Sequence, residues 1–90
     1  MADIFLTDEF KNRYKELPVF IQKKAEKQEK LFRHNYFHPS LHTEKLEPKR
    51  KQIWSFRVDK KYRIFFKFEE KDKVIFLTVG PHNWIYKFKI

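Results

Sequence analysis

The sequence predicts an α+β fold in which two N-terminal helices pack on one face of a small, twisted, mainly antiparallel sheet. Three observations predict it. Apolar residues recur at helical spacing through the first third of the chain, the period changes to two from Trp54 onward, and Pro39 and Pro48 break the stretch between. Ninety residues suffice for one domain over 1–90, with no composition shift that would mark a linker. A domain this small buries only about 60 to 65% of the surface of its unfolded chain, so its core needs large side chains. Eleven Phe, four Tyr and two Trp supply them.

Residues 2 to 6 read as a first strand. Thr7 ahead of Asp8 and Glu9 starts a helix, because its hydroxyl can cap free N–H groups and the carboxylates complement the helix dipole. Phe10, Tyr14 and Leu17 form one apolar stripe, with Lys11, Arg13 and Lys15 off it. Pro18 ends this helix and opens a second one running to about Asn35. Ile21, Ala25, Gln28 and Phe32, flanked by Phe20 and Leu31, give the inner face of that helix, while Lys23, Lys24, Lys27, Lys30 and Arg33 belong to its wet side.

Residues 36 to 51 hold no sustained period and read as a loop with room for a short strand around Leu41 to Leu46. Trp54, Phe56 and Val58 then alternate with Ser55, Arg57 and Asp59, and Tyr62, Ile64, Phe66 and Phe68 alternate with Arg63, Phe65, Lys67 and Glu69. The polar Asp59-Lys60-Lys61 joins the two as a hairpin. Val74 to Val79 is apolar on both faces, as a central strand requires, and Glu70 to Lys73 turns into it. The order is β-α-α-β-β-β, and a last short strand from Trp84 to Phe88 fits behind it. On this reading the odd-numbered hairpin face, with Ser55, Arg57, Arg63 and Lys67, looks outward as a basic surface.

The formal net charge is +9 and the pI about 9.8, which favours an acidic partner such as nucleic acid or an acidic protein. With no cysteine, disulfides and thiolate metal sites are excluded, which fits a cytoplasmic protein. No secretion signal opens the chain, and no apolar run approaches the roughly 18 residues of a membrane span. One glycine excludes the glycine-rich phosphate loops. No cofactor is expected. His34, His38 and His42 recur at i, i+4 and i+8, but Pro39 breaks the helix that would align them on a metal.

Val79-Gly80-Pro81-His82-Asn83-Trp84-Ile85-Tyr86 is the best candidate site. The lone Gly80 marks a backbone needing positive φ or close approach, and Pro81 stiffens the turn that would hold His82. RNA cleavage by a neighbouring 2′-hydroxyl needs no metal, only a base, an acid and cations for the phosphate charge. His82 suits proton transfer, Arg57 and Arg63 match phosphate oxygens, and Lys67 extends their face. Trp84 and Tyr86 share the parity of His82 and could stack on bases. Each also has a structural explanation: a turn histidine, arginines paired with Asp59, Glu69 or Glu70, and core aromatics. His38 and His42, in the loop, are second-choice proton carriers.

The segment His38-Pro-Ser-Leu-His-Thr-Glu-Lys-Leu46, the run from Trp54 through Tyr62-Arg63-Ile64, and Val79-Gly80 with its trailing Tyr86 resemble the RelE/ParE superfamily of bacterial toxin-antitoxin toxins. The match spans nearly the whole chain. It implies a toxin silenced by a cognate, acidic antitoxin; RelE-like members cleave mRNA at the ribosome, whereas ParE-like members inhibit DNA gyrase without cutting RNA. By this resemblance Arg63 takes the catalytic arginine position, Arg57 a basic position on the preceding strand, and Tyr86 the C-terminal tyrosine. His82 stands where members have arginine or histidine. Ser55 falls where RelE has a lysine, which leaves the general base unassigned.

Overall fold

The computed structural model describes residues 2–83. In chain order these form β1 (Asp3–Leu6), α1 (Asp8–Glu16), α2 (Val19–His34), β2 (Glu44–Lys45), β3 (Trp54–Arg57), β4 (Tyr62–Glu70) and β5 (Lys73–Pro81). The five strands make one sheet in the order β1-β5-β4-β3-β2, antiparallel throughout except for the parallel pair β1 and β5. Parallel pairing demands a crossover, and the helical hairpin supplies part of it. The α+β reading and its mainly antiparallel sheet hold. The last strand expected from Trp84 to Phe88 lies outside the described residues.

Local chemistry sets the elements. Thr7 Oγ1 accepts from the Phe10 amide at 3.0 Å and donates to the Leu77 carbonyl at 2.8 Å, so one hydroxyl both caps α1 and ties it to β5. Glu9, on the first turn, accepts from the buried Thr78 hydroxyl at 3.2 Å. Asp59 Oδ1 takes the amides of Lys61 and Tyr62, each at 2.8 Å, and this side-chain turn closes the β3–β4 hairpin. Between β4 and β5 the sharp reversal places Asp72 at φ 60°, a left-handed conformation that aspartate tolerates.

The main core lies between the helices and one face of the sheet. Phe10, Ile21, Ala25 and Phe32 pack onto Phe56, Ile64, Phe66, Val74, Phe76 and Val79. Phe32 is its hub: fully buried, it stacks on Phe56 at 4.6 Å between centroids and meets Phe66 edge-on at 4.9 Å and Phe76 at 5.8 Å. Phe20, expected to flank this face, is 63% exposed instead. It sits in the first turn of α2, beyond the reach of the sheet.

The opposite face is not left to solvent. Past the 3₁₀ turn at Pro39–Leu41, whose Leu41 is buried in the main core, residues 42–53 cross it through the two-residue β2 and a 3₁₀ turn at Lys49–Lys51, and build a second, smaller core of Ile53 and Phe65 with Leu46 and Leu77. Leu77 reaches it through an irregularity in the ladder: Phe65 pairs with Thr78 and Phe66 with Phe76, which leaves Leu77 as an extra residue on β5. Ser55 is therefore fully buried and Arg63 only 6% exposed, and the outward-facing hairpin surface expected from strand parity is overturned. Parity gave the face correctly; what covers it comes from a loop without period.

Truncating the hub, Phe32→Ala, is expected to cost about 3 to 5 kcal/mol, the range for emptying an aromatic site in a core. Urea unfolding followed by circular dichroism measures it, and a loss below about 1 kcal/mol would show that the aromatic cluster collapses around the gap.

Candidate active site

Three residues stand in a row across the sheet: Arg57 on β3 pairs with Arg63 on β4, which pairs with Gly80 on β5. Directly opposed residues share a face, so both guanidinium stems start on the face covered by residues 42–53. Arg63 is held from two sides. Its Nε donates to Ser55 Oγ at 2.9 Å, and its Nη2 donates to the His42 carbonyl at 2.8 Å. Glu44 Oε1 lies 3.6 Å from the same Nη2, with its side chain 56% exposed. Ser55 and Glu44 are themselves cross-strand partners, which fixes the carboxylate over the arginine.

Gly80 has no positive φ, contrary to the first expectation from its solitude; it is a strand residue of β5, and the turn follows Pro81 rather than Gly80. The second expectation, close approach, fits: Gly80 is buried directly opposite Arg63, where a Cβ would compete with the arginine stem for space. Burial pushes the Arg63 guanidinium below its ordinary pKa; Glu44 pulls it back up and neighbouring Arg57 pushes it down. It stays charged, because arginine does not lose its proton in proteins. Arg57 Nε is buried and, among the described residues, has no hydrogen-bond partner. Two adjacent cations with one partly exposed carboxylate between them and solvent suit an incoming anion.

Residues 9–82 match the family described as the RelE-like toxin of the type II toxin-antitoxin system HigB. The chain belongs to that family. An uncharacterised Haemophilus influenzae protein is 44% identical over 46 residues, 51% of this chain and 45% of that protein, so the match spans under half the length of that relative. Three solved structures share the fold. A YoeB dimer from Staphylococcus aureus aligns with a TM-score of 0.74 at 16% identity, over 90% of this chain and 97% of that one. A YoeB/ParE toxin from Agrobacterium tumefaciens gives 0.73 at 14% identity, over 91% and 99%. An Escherichia coli DinJ–YafQ complex gives 0.73 at 16% identity, over 96% and 99%.

In this HigB-like toxin the sequence-predicted residues divide. Arg57 and Arg63 are together. His82 begins the turn after β5, exposed, with its amide donating to the Lys61 carbonyl at 2.7 Å, so its backbone is docked against the hairpin turn. Lys67 is four residues from Arg63 on β4, some 13 Å along a strand, and is apart from the pair. His38 Nδ1 is engaged by Ser40, at 3.2 Å from the amide and 2.9 Å from the hydroxyl, which makes it a local cap. His42 contributes its carbonyl, exposed by a left-handed φ of 47°, and not an imidazole contact. Trp84 and Tyr86 lie outside the described residues. Sequence reasoning missed Glu44 and the support role of Ser55. Only the pairing of two-residue β2 with β3 brings Glu44 over Arg63, and no periodicity announces a strand that short.

Ser55→Ala would leave the buried Arg63 Nε unsatisfied, and is expected to cost about 1 to 3 kcal/mol in urea unfolding. Ser55→Thr keeps the hydroxyl and is expected to recover part of it. Equal midpoints for the alanine variant and the parent would sink the assigned hydrogen bond.

Proposed function

We propose that this HigB-like toxin is a metal-independent, ribosome-dependent mRNA endoribonuclease acting in the cytoplasm and silenced by an acidic antitoxin. The observation that carries the reading is the buried Arg63, oriented by Ser55 and the His42 carbonyl beneath the partly exposed Glu44 carboxylate, with Arg57 alongside. Among the described residues Glu44 is the anion paired with Arg63, at 3.6 Å. A scissile phosphate entering there takes that place, which frees the carboxylate to act as a base.

The chemistry then follows from charge. Glu44 removes the proton of the 2′-hydroxyl, and the oxygen attacks phosphorus; the O2′–P bond forms as the P–O5′ bond breaks. Arg63 and Arg57 face the extra negative charge of the five-coordinate phosphorus, where donors aimed at developing charge contribute most. His82 gives its proton to the departing 5′-oxygen. The products are a 2′,3′-cyclic phosphate and a 5′-hydroxyl, and no oxidant, metal or cofactor enters the balance. Tyr86 is proposed to act at the site, as the superfamily resemblance implies, and Trp84 to stack on a base, as its shared parity with His82 suggests.

One observation favours a second reading. Arg63 is 6% exposed, and an arginine this covered also serves as a structural anchor in a noncatalytic toxin of the ParE type that inhibits gyrase. Mapping mRNA 5′ ends after induction, beside a supercoiling assay, separates the two: new cut sites support cleavage, and unchanged ends with gyrase inhibition overturn it.

Arg63→Gln is expected to slow cleavage by about 10² to 10³, and Glu44→Gln and His82→Ala by about 10² to 10⁴ each, measured with translating ribosomes. Full activity in the Glu44 variant would remove it from the role of base.

A further inference from the structure

Pro81 has no N–H to donate, so the amide of His82 takes over the tie between the end of β5 and the β3–β4 hairpin, donating to the Lys61 carbonyl at 2.7 Å. That carbonyl is itself held. It belongs to the Lys61–Tyr62 peptide, whose N–H donates to Asp59 Oδ1 at 2.8 Å, and a trans peptide sets its N–H and C=O on opposite sides. By anchoring the N–H on the side of β3, one carboxylate oxygen aims the C=O at β5, where it meets His82. Oδ1 also takes the Lys61 amide at 2.8 Å, which pins the preceding peptide. The other oxygen, Oδ2, lies 4.0 Å from Lys24 Nζ on α2, and with that lysine side chain 54% exposed the pair adds little.

The His82 side chain is exposed and, among the described residues, makes no hydrogen bond or ion pair, so the backbone seat is what locates it. His82 stands two residues beyond Gly80, the cross-strand partner of Arg63, which is about 7 Å along the strand direction. A drift of about 1 Å in a reacting group can cost roughly 10²-fold in rate. We propose that Asp59 is a positioning residue: through the Lys61–Tyr62 peptide it fixes where His82 stands, and so where the proton for the departing 5′-oxygen comes from. This role rests on the nuclease reading above, in which His82 is the acid. The ionised Asp59 oxygen polarises the peptide it binds and makes the Lys61 carbonyl a stronger acceptor at the far end, because hydrogen bonds in a chain reinforce one another. The same carboxylate closes the hairpin, and the two roles separate by what is lost with each. A loosened hairpin weakens the sheet and every step, whereas a displaced His82 slows only the step that needs an acid.

Amide hydrogen exchange followed by NMR reads the seat without any cleavage. In Asp59→Ala the His82 amide is expected to exchange at least about tenfold faster, while the amides of buried Phe66 and Phe76, further into the sheet, keep their protection. Unchanged exchange at His82 overturns the proposal, and so does equal acceleration at all three, which marks a loosened sheet. Cleavage is then compared on ribosomes programmed with an mRNA whose mapped cut site carries either the natural 5′-oxygen or a bridging 5′-sulfur. With sulfur the O2′–P bond forms as the P–S5′ bond breaks, and the thiolate leaves without a proton from an acid. On the oxygen linkage Asp59→Ala is expected to lower kcat about 10- to 100-fold with KM within about twofold, and on the sulfur linkage the deficit is expected to disappear, as it does for His82→Ala. Asp59→Asn keeps an Oδ1 acceptor and is expected to recover most of both the rate and the protection. An Asp59→Ala deficit that persists on sulfur overturns the proposal. A His82→Ala deficit that persists on sulfur, or a parent chain that cuts neither RNA, sinks the nuclease reading and the role with it, while exchange still decides whether Asp59 seats His82.

Discussion

A guanidinium with only 6% of its residue's surface exposed must find acceptors for its protons or unfold the surface above it, and Arg63 imposes that demand on three separate segments. Ser55 from β3, the His42 carbonyl from the loop and Glu44 from β2 answer it. The loop residues gain their geometry in return. His42 holds a left-handed φ to aim its carbonyl, and Gln28 on α2 reaches across to the carbonyls of Ser40 at 3.2 Å and Arg57 at 2.9 Å. The same arginine that organises the candidate site thus anchors the segment that covers the sheet.

That coupling joins stability to function. Residues 42–53 hold only the two-residue β2 and one short 3₁₀ turn, yet they enclose a small apolar core around Ile53 and Phe65 and take a hydrogen bond from the buried Arg63. In the proposed mechanism a substrate phosphate that replaces Glu44 on Arg63 exchanges one anion for another, so the cation stays paired throughout. Arg57 differs, because its buried Nε has no partner among the described residues, and such an atom is costly until a ligand supplies an acceptor.

Helix α2 shows the same division of labour on a smaller scale. Its apolar face carries Phe32 into the aromatic core, Glu26 and Glu29 on one flank line a cleft beside Ile4 and Leu6 of β1, and Lys23, Lys27 and Lys30 are exposed on the outer side. Three faces on one helix let a chain of ninety residues keep its core, a cleft and a basic surface without overlap.

The sequence by itself determined the helices and the hairpin, because each depends on neighbours within a few positions: Thr7 caps the turn that follows it, Phe10, Ile21, Ala25 and Phe32 recur at the helical period, and Asp59 closes the turn it begins. It also placed Arg57 and Arg63 on one face, since alternation along a strand is local, and family resemblance had singled out Arg63. Only the tertiary structure decided that this face is covered, that Gly80 lies opposite an arginine instead of in a left-handed turn, and that Glu44 stands over Arg63. Those facts rest on contacts between residues far apart in the chain, made by a two-residue strand and a loop whose course is set by what they pack against. Periodicity cannot register a pairing of that kind, whereas a buried charge enforces it.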